Sequence, residues 1–212
     1  RNGMLADPEH VELLKKAANE GAEAEVRRLV DAGVDINHGH RPSFLGAYFN
    51  GHVEIVRYLL SSGGDVNHNG HSEVTLLMAA INQEDLEFAA YLVEVGADVN
   101  LRLPRGGETA LHKAAVNNRT RSVQFLITNG AEVDLPAKVG GLSEMPVFSH
   151  LHGETALHIA AVRSDAELID LLLQAGADPL LQTSKGQTPL DLARESGRAA
   201  EVIDRLQTES GS

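Results

Sequence analysis

The residues in this chain best suited to chemistry are its histidines, of which there are ten. His38 and His40 form one close pair, and His68 and His71 form another. Imidazoles on adjacent loops could share a transition metal or act as a pH-responsive patch. No carboxylate is positioned obviously to complete such a site, and loop tips accept any polar residue. We therefore keep these four only as weak metal candidates and predict no cofactor.

The motifs of common catalytic sites are absent from the sequence. No glycine-rich loop leads into Lys-Ser/Thr, and there is no nucleophile elbow, zincin helix or acidic calcium loop. The chain has no cysteine, which removes thiol catalysis, thiolate metal sites and disulfides. We predict that the protein is not an enzyme.

Charge and hydropathy limit the kinds of partner. The chain has 30 Asp and Glu against 18 Lys and Arg, a formal net charge of −12. Such a chain is not expected to bind nucleic acid or an anionic membrane, whereas a basic protein surface would attract it. Because the sequence lacks a long apolar run and a secretory signal, we expect a cytoplasmic protein. We also expect a monomer. A protein exported by a route that needs no signal peptide would have the same sequence features.

A recurring glycine indicates the elements that must position these side chains. Gly33, Gly63, Gly96, Gly130 and Gly176 each follow an apolar helical stretch, with gaps of 30, 33, 34 and 46 residues. A unit of about 33 residues predicts stacked helical repeats, in which only the stack can bury an apolar core. Function must then be sought on the surface of the stack.

Two short motifs accompany these glycines. Residues 155–161 (Thr-Ala-Leu-His-Ile-Ala-Ala), with near copies at 109–115 and 188–193, resemble the Thr-Pro-Leu-His-x-Ala-Ala box of ankyrin repeats. Residues 92–100 and 171–178 resemble the end of that family's second helix. The resemblance covers nearly the whole chain. It implies an all-α fold, an α-solenoid of helix-turn-helix repeats with β-hairpin fingers between them.

The resemblance divides the chain into about six repeats within one domain. The domain is expected at residues 4–207, with repeats at 7–38, 39–70, 71–103, 104–134, 150–182 and 183–207. Both terminal repeats have the character of caps, which favours a complete array. We interpret residues 1–3, before the first Met, as an expression-vector remnant and predict a disordered tail at 208–212.

Repeat two departs most from the box. Residues 42–49 stand where the box would lie. The spacing of 30 residues between Gly33 and Gly63 is shorter than the repeat and predicts a short finger. This repeat brings together Phe44, Tyr48 and Phe49. We predict that Phe44 and Tyr48 lie in the core, while Phe49 falls at a groove position, where aromatic residues often dominate binding.

An insertion separates repeats four and five. The last glycine gap exceeds the repeat by 13 residues, and the surplus falls in the finger 135–152. Met145, Val147, Phe148 and Leu151 make this finger more apolar than a solvated loop, and it lacks the polarity of a disordered segment. Either these side chains fold back onto the groove, or they are presented to a partner.

In ankyrin-repeat proteins the concave groove, made by the finger tips and by exposed first-helix positions, binds partners. Matching each box to this chain, and adding the finger, transfers that role to Phe49, Asn50, His71, Ser72, Val74, Asn82, Gln83, Arg105, Glu108, Val116, Asn117, Met145, Val147, Phe148, Leu151, His152, Glu154, Val162 and Arg163. The mixture of apolar and hydrogen-bonding side chains is typical of a protein-recognition surface.

Other box residues are interpreted as scaffold. Thr109 and Thr155 are placed to cap the first helices through their hydroxyls. The resemblance also assigns His52, His112 and His158 to box positions that hydrogen-bond within and between repeats. These residues are therefore poor candidates for function.

The function predicted from these patterns is a non-catalytic module that binds a partner protein through its groove and the 135–152 finger. One alternative is a small regulatory protein whose loop histidines respond to metal or pH. Another is an effector, exported without a signal, that acts on a host protein.

Overall fold

A computed structural model describes residues 7–38, 43–69, 74–104, 106–137 and 153–210 of the 212-residue chain. These residues form twelve α-helices, in six consecutive pairs, and none of the twelve is long and apolar enough to cross a bilayer. The helices are α1 (Pro8–Glu20), α2 (Glu23–Asp31), α3 (Ser43–Phe49), α4 (Val53–Ser61), α5 (Leu76–Gln83), α6 (Leu86–Glu94), α7 (Ala110–Val116), α8 (Thr120–Thr128), α9 (Ala156–Arg163), α10 (Ala166–Gln174), α11 (Pro189–Glu195) and α12 (Ala200–Ser210). The all-α repeat fold predicted from the sequence is confirmed.

The described connections between helix pairs contain turns and no β-strand. Aspartates at the start of these connections accept hydrogen bonds from backbone N–H groups two residues further on: Asn37 N–H to Asp35 (2.9 Å), Asn67 N–H to Asp65 (2.9 Å) and Asn100 N–H to Asp98 (2.9 Å). Such Asx turns satisfy locally the groups that a strand would pair. The expected β-hairpin fingers are therefore series of turns in the part of the chain that the structure describes.

The chain divides into two compact units. Unit 1 contains residues 1–79 and 95–97, and unit 2 contains residues 80–94 and 98–212, so the division falls within α5. In unit 1, α1 packs against α2 and α3, and α4 packs against α2 and α3. In unit 2, α7 packs against α8 and α9, α9 also contacts α10 and α11, and α12 packs against α10 and α11. Within each unit these helices thus bury apolar faces against one another.

Small side chains let the first helices of the pairs approach one another. Ala114, Ala115, Ala160 and Ala161 are completely buried where α7 and α9 pack. In α3 the residue at the position of Ala114 is Ala47, which is also fully buried. Gly46 lies one residue earlier, where a Cβ atom would lie 1.9 Å from the Asn19 side-chain oxygen of α1. Any larger residue there would displace the asparagine. Close packing therefore selects the small residues of the box.

The second helices α2, α6, α8 and α10 end as the glycine spacing predicts. Gly33, Gly96, Gly130 and Gly176 have φ values of 85°, 100°, 88° and 90°. At the last three, a Cβ atom would meet no other atom within 4 Å. The left-handed backbone conformation, and not lack of space, requires glycine there.

The aromatic residues of repeat two lie as predicted. Phe44 is fully buried and Tyr48 is 5% exposed, which confirms their core assignment, while Phe49 is 59% exposed.

Helix α12 continues to Ser210, and the disordered tail expected at residues 208–212 stays a prediction. No glycine or proline interrupts the sequence between residue 200 and Gly211, so nothing local ends the helix earlier.

Candidate partner-binding surface

The N-terminal end of α7 is fixed by a capping box. The backbone N–H of Thr109 donates to His112 Nδ1 (3.1 Å), and the Thr109 hydroxyl lies 2.9 Å from the same nitrogen. His112 Nε2 lies 3.1 Å from the backbone oxygen of Glu154 in the next repeat. A carbonyl can only accept, so Nε2 carries the proton and Nδ1 is the acceptor. The ring thus joins two repeats.

Helix α9 repeats this arrangement. Thr155 N–H donates to His158 Nδ1 (3.2 Å), and His158 Nε2 lies 3.1 Å from the backbone oxygen of Gln187. Burial lowers the pKa of His112 to about 4 and also lowers that of His158. Both rings are therefore neutral near pH 7, and the scaffold role predicted for these two histidines is confirmed.

His52 is structural for a different reason from the one expected. It lies at the N-cap of the second helix α4 and not in a first-helix box, so its assignment to a box position is wrong. Its Nε2 lies 3.2 Å from the backbone oxygen of Asn19, and its ring covers Gly21, where a Cβ atom would be 2.6 Å away. In the box of repeat two Leu45 stands at the position that His112 holds in α7, and His52, at the start of α4, adds a contact to repeat one.

The C-terminal ends of the first helices in unit 2 present a different set of side chains. Gln83, Asn117 and Arg163, at equivalent positions of successive repeats, are exposed, and the residue before each is half-buried. We call these positions the first-helix row: Asn82, Gln83, Val116, Asn117, Val162 and Arg163. The row contains carboxamides, two valines and one cation, with no carboxylate.

Hydrogen bonds hold the row in place. Asn117 Nδ2 donates to Asn82 Oδ1 (2.9 Å) and to the Lys113 carbonyl (3.1 Å), which links two repeats. The Val162 carbonyl accepts from Arg198 Nη1 of the following repeat (2.9 Å). Side chains fixed in this way lose less conformational entropy when a partner binds.

The turns that follow the row are also fixed. Glu84 and Asn118 have left-handed φ values of 55° and 51°, which are uncommon for residues other than glycine. Glu84 Oε2 accepts from Arg119 Nη1 (3.0 Å). Asn118 donates to the Asp165 carboxylate (2.6 Å) and accepts from its backbone N–H (3.0 Å). These contacts hold the strained turns, and so orient the helix ends before them.

Three predicted positions lie in unit 1. Phe49 and Asn50 are exposed at the end of α3, and Val74 is half-buried before α5. The side chain of Asn50 donates to the Asn19 carbonyl (3.1 Å), and the rings of Tyr48 and Phe49 have centroids 5.9 Å apart. Phe49 is therefore supported from one side and open to solvent on the other.

The two predicted finger glutamates differ. Glu108 is only 2% exposed, so the expectation that it meets a partner is wrong. Its carboxylate folds over Gly106, where a Cβ atom would lie 2.2 Å from Oε2, and its carbonyl accepts from Leu103 N–H (2.9 Å). Glu154, in contrast, is half-exposed; burial raises its pKa, while Lys185 and Arg163 act in the opposite direction.

Several predicted residues lie outside the described part of the chain. These are the groove candidates His71, Ser72, Arg105 and His152, the apolar finger residues Met145, Val147, Phe148 and Leu151, and the metal candidate His40. Their proposed roles stay predictions. Only the base of the finger is described, where Ala137 N–H donates to the Glu154 carbonyl (2.9 Å).

The two loop histidines within the described residues do not share ligands. His38 Nδ1 lies 3.9 Å from an Asp35 carboxylate oxygen, a long contact. No group of three or more His, Asp or Glu side chains in the described ranges is arranged to hold a metal ion.

A groove that the sequence analysis missed lies on the second helices of unit 2. It is open, has a volume of about 710 Å³ and is lined by Leu86, Thr120, Arg121, Gln124, Phe125, Glu167, Leu171 and Gln174. Leu171 and Phe125 are at equivalent positions of α10 and α8. The groove forms only when those helices pack, so periodicity within one helix could not reveal it.

Comparisons with known proteins agree with this architecture. The family described as "Ankyrin repeats (3 copies)" matches residues 47–137, and "Ankyrin repeats (many copies)" matches residues 148–193. Among curated relatives, ankyrin repeat and KH domain-containing protein mask-1 of Caenorhabditis elegans is 28% identical over 65% of this chain. A putative palmitoyltransferase of Danio rerio is 31% identical over 57% of it. The matched regions are 6% and 19% of those proteins.

Two solved structures resemble the chain over most of its length. An ankyrin repeat domain from Acinetobacter baumannii has a TM-score of 0.73 and 25% identity, with 93% of this chain and 97% of that one covered. A chain from the complex of a predatory endopeptidase of Bdellovibrio bacteriovorus with an immunity protein has a TM-score of 0.71 and 26% identity. That alignment covers 93% of this chain and 98% of the other.

Proposed function

The chain belongs to the ankyrin-repeat family, and we propose that it is a non-catalytic module that binds another protein through the first-helix row. Ankyrin repeats generally mediate protein–protein interaction. The observation that carries the proposal is that exposed residues 83, 117 and 163 recur in register on helices whose other ends are buried and fixed.

The chemistry of the row supports a protein partner. Carboxamides can donate and accept hydrogen bonds at once, as peptide groups do, and the two valines add apolar area between them. Part of the row is preorganised, because the Asn82 and Asn117 side chains are hydrogen-bonded to each other and Arg198 holds the Val162 carbonyl. Nothing in this set is a nucleophile or a general base.

Two further observations favour the same function. One structural neighbour comes from a complex between an endopeptidase and an immunity protein, so a chain of similar fold occurs in a protein assembly. The base of the 135–152 finger is hydrogen-bonded to Glu154, one position from the box of α9. We propose that the finger extends the binding surface on that side.

Affinity capture with matched variants tests the proposal. The doubly substituted row variant Gln83→Arg/Asn117→Arg places two long cations on the row. The control Gln124→Arg/Gln174→Arg places the same cations on the second helices. All four residues are exposed, so both variants should keep the wild-type circular dichroism spectrum, and the row variant should lose only the small stability of the Asn117 hydrogen bonds.

We expect the row variant to capture at least tenfold less of the partner than wild type and control do. Quantitative mass spectrometry of proteins captured from a lysate of the source organism measures these amounts. A partner retained by the row variant, or lost only by the control, would contradict the proposed surface.

A further inference from the structure

We infer that the joint between repeats four and five is complete without residues 138–152, so that this segment is an addition to the scaffold and not a part of it. The role of the segment in stability is a separate matter from the proposed function, which concerns the surface that meets a partner. The apolar side chains of the segment are then not needed to cover the groove, which was one of the two alternatives that the sequence left open.

Two fingers of unit 2 close in the same way. Thr183 N–H donates to the Gln187 carbonyl (2.9 Å), and Ala137 N–H donates to the Glu154 carbonyl (2.9 Å). The first pair encloses three residues of the sequence, whereas the second encloses sixteen. The whole surplus of 13 residues therefore falls between the members of a closing pair that an uninterrupted finger also has.

The glycines beside the closing pairs also match. Gly153 and Gly186, each just before the accepting residue, have left-handed φ values of 82° and 75°. Gly107 has a φ of 65° at the same place in the preceding finger, where Leu103 N–H donates to the Glu108 carbonyl (2.9 Å). The finger with the insertion and the two fingers of ordinary length therefore end with one backbone conformation.

A histidine from the preceding box completes each closure. His112 Nε2 lies 3.1 Å from the Glu154 carbonyl oxygen, and His158 Nε2 lies 3.1 Å from that of Gln187. Each carbonyl thus accepts one hydrogen bond from its own finger and one from the box, which uses both of its lone pairs. This junction is the same with the insertion as without it.

Further contacts between repeats four and five lie away from the segment. Helices α7 and α9 pack directly, and the Ser164 hydroxyl donates to the Ala115 carbonyl (2.9 Å). Asn118 and Asp165 exchange two hydrogen bonds, of 2.6 and 3.0 Å, beyond the ends of the same helices. A loop that adds no contact only raises the entropy cost of closing the finger, by an amount that grows slowly with its length. We therefore expect the segment to lower stability slightly.

A shortened variant tests whether the joint is complete. Residues 138–152 are replaced by Ser-Lys, which gives the 137–154 finger the length and the Ser-Lys-Gly turn of the 183–187 finger. We expect the wild-type circular dichroism spectrum and a melting temperature equal to that of the wild type or higher by up to about 5 °C, because a shorter loop costs less entropy to close. A lower melting temperature, or a chain that does not fold, would overturn the inference.

A second variant keeps the length of the finger. The fourfold change Met145→Ser/Val147→Ser/Phe148→Ser/Leu151→Ser removes the large apolar side chains of the segment and should melt at the wild-type temperature. If these side chains were buried against the scaffold, their loss would lower the melting temperature by several degrees. That result would show that the segment is part of the core.

Matched alanine substitutions test whether the two closures are alike. Gly153→Ala and Gly186→Ala should each lower the melting temperature by about 3 °C, because a left-handed φ is unfavourable for alanine. A loss from Gly186→Ala alone would contradict the common closure on which the inference depends. Melting temperature reports on the joint, whereas capture by the row variant tests the proposed function, so the two proposals fail separately.

Discussion

The two ends of α7 and α9 differ in what their polar side chains bind. At the N-terminal ends, His112 and His158 are buried and contact carbonyls of the next repeat at 3.1 Å. At the C-terminal ends, Asn117 and Arg163 are exposed. Hydrogen bonds between repeats occur at both ends, but the histidine end is buried, whereas the other end keeps exposed side chains that are open to a partner.

This difference indicates that stability and recognition are assigned to different residues of the same helix. Substitutions at the fixed ends should change the free energy of unfolding, whereas substitutions in the row should change binding. The following predictions test that separation, beginning with the largest effect.

The strongest test compares two apolar residues of α9. Leu157 is fully buried and Val162 is half-buried. We expect Leu157→Ala to lower the free energy of unfolding by roughly 3–4 kcal/mol, because it leaves a cavity among packed helices. Val162→Ala should cost under about 1 kcal/mol, because that side chain is partly in solvent already. Urea denaturation measures both, and equal losses would remove the distinction between the two ends.

The pH dependence of stability is the next largest effect. The pKa of His112 is lowered by burial to about 4 in the folded state, below the ordinary value of 6.5. The unfolded chain therefore takes up a proton first as pH falls. Stability that is complete above pH 6.5 should be lost between about pH 6.5 and 4, by about 2 kcal/mol at pH 5.

His112→Gln keeps a hydrogen-bonding residue at the same helix position and removes the titrating ring. Although less stable at pH 7, this variant should lose less stability than the wild type between pH 7.5 and 5. Denaturation at both pH values gives the comparison with the wild type. An unchanged pH dependence in the variant would show that His112 is not the titrating group.

Substitutions at the two ends of α7 should also differ in their effect on stability, but by a smaller amount. Thr109 closes the capping box, so Thr109→Ala should cost about 1 kcal/mol. Asn117→Ala, at the exposed end, should change stability little while weakening capture of the partner. Thermal melts combined with the capture assay separate these outcomes. A melting temperature lowered more by Asn117→Ala than by Thr109→Ala would reverse the assignment of the two ends.

The smallest effect is a gain in stability. Asparagines in the inter-repeat connections donate to the closing glycine of the next repeat: Asn37 to Gly63 (3.1 Å), Asn67 to Gly96 (3.1 Å) and Asn100 to Gly130 (3.0 Å). The equivalent residue before the insertion is Asp134, which accepts from Asp178 N–H (3.0 Å) but has no N–H to donate.

Asp134→Asn would supply the missing donor. We expect a gain of about 0.5–1 kcal/mol in the free energy of unfolding, with capture of the partner unchanged. Asn100→Asp is the reciprocal control and should lose a similar amount. If both variants match the wild type in urea denaturation, this hydrogen bond contributes nothing measurable.

The sequence predicted the features that depend on local pattern. The glycine at each second-helix end and the threonine at the box can be recognised within a few residues of Gly130 or Thr109, because the backbone conformation and the cap are local requirements. The burial of Phe44 and Tyr48 followed from the same register.

Features that depend on contacts between repeats were not predictable in this way. Glu108 seemed exposed by analogy with Glu154, but Gly106 allows its carboxylate to fold inward. The pKa of Glu154 is raised by burial and lowered by cations of two repeats, Lys185 and Arg163. The groove beside Phe125 forms only between packed helices. No single segment of sequence carries those relationships.

Photo-crosslinking in the source cells tests the central claim most directly. A benzoylphenylalanine replaces Asn117 in one variant and Gln124, exposed on α8, in a matched variant. The account predicts a specific crosslinked protein from position 117 and none of comparable yield from position 124. A partner captured from position 124 and absent from position 117 would contradict it.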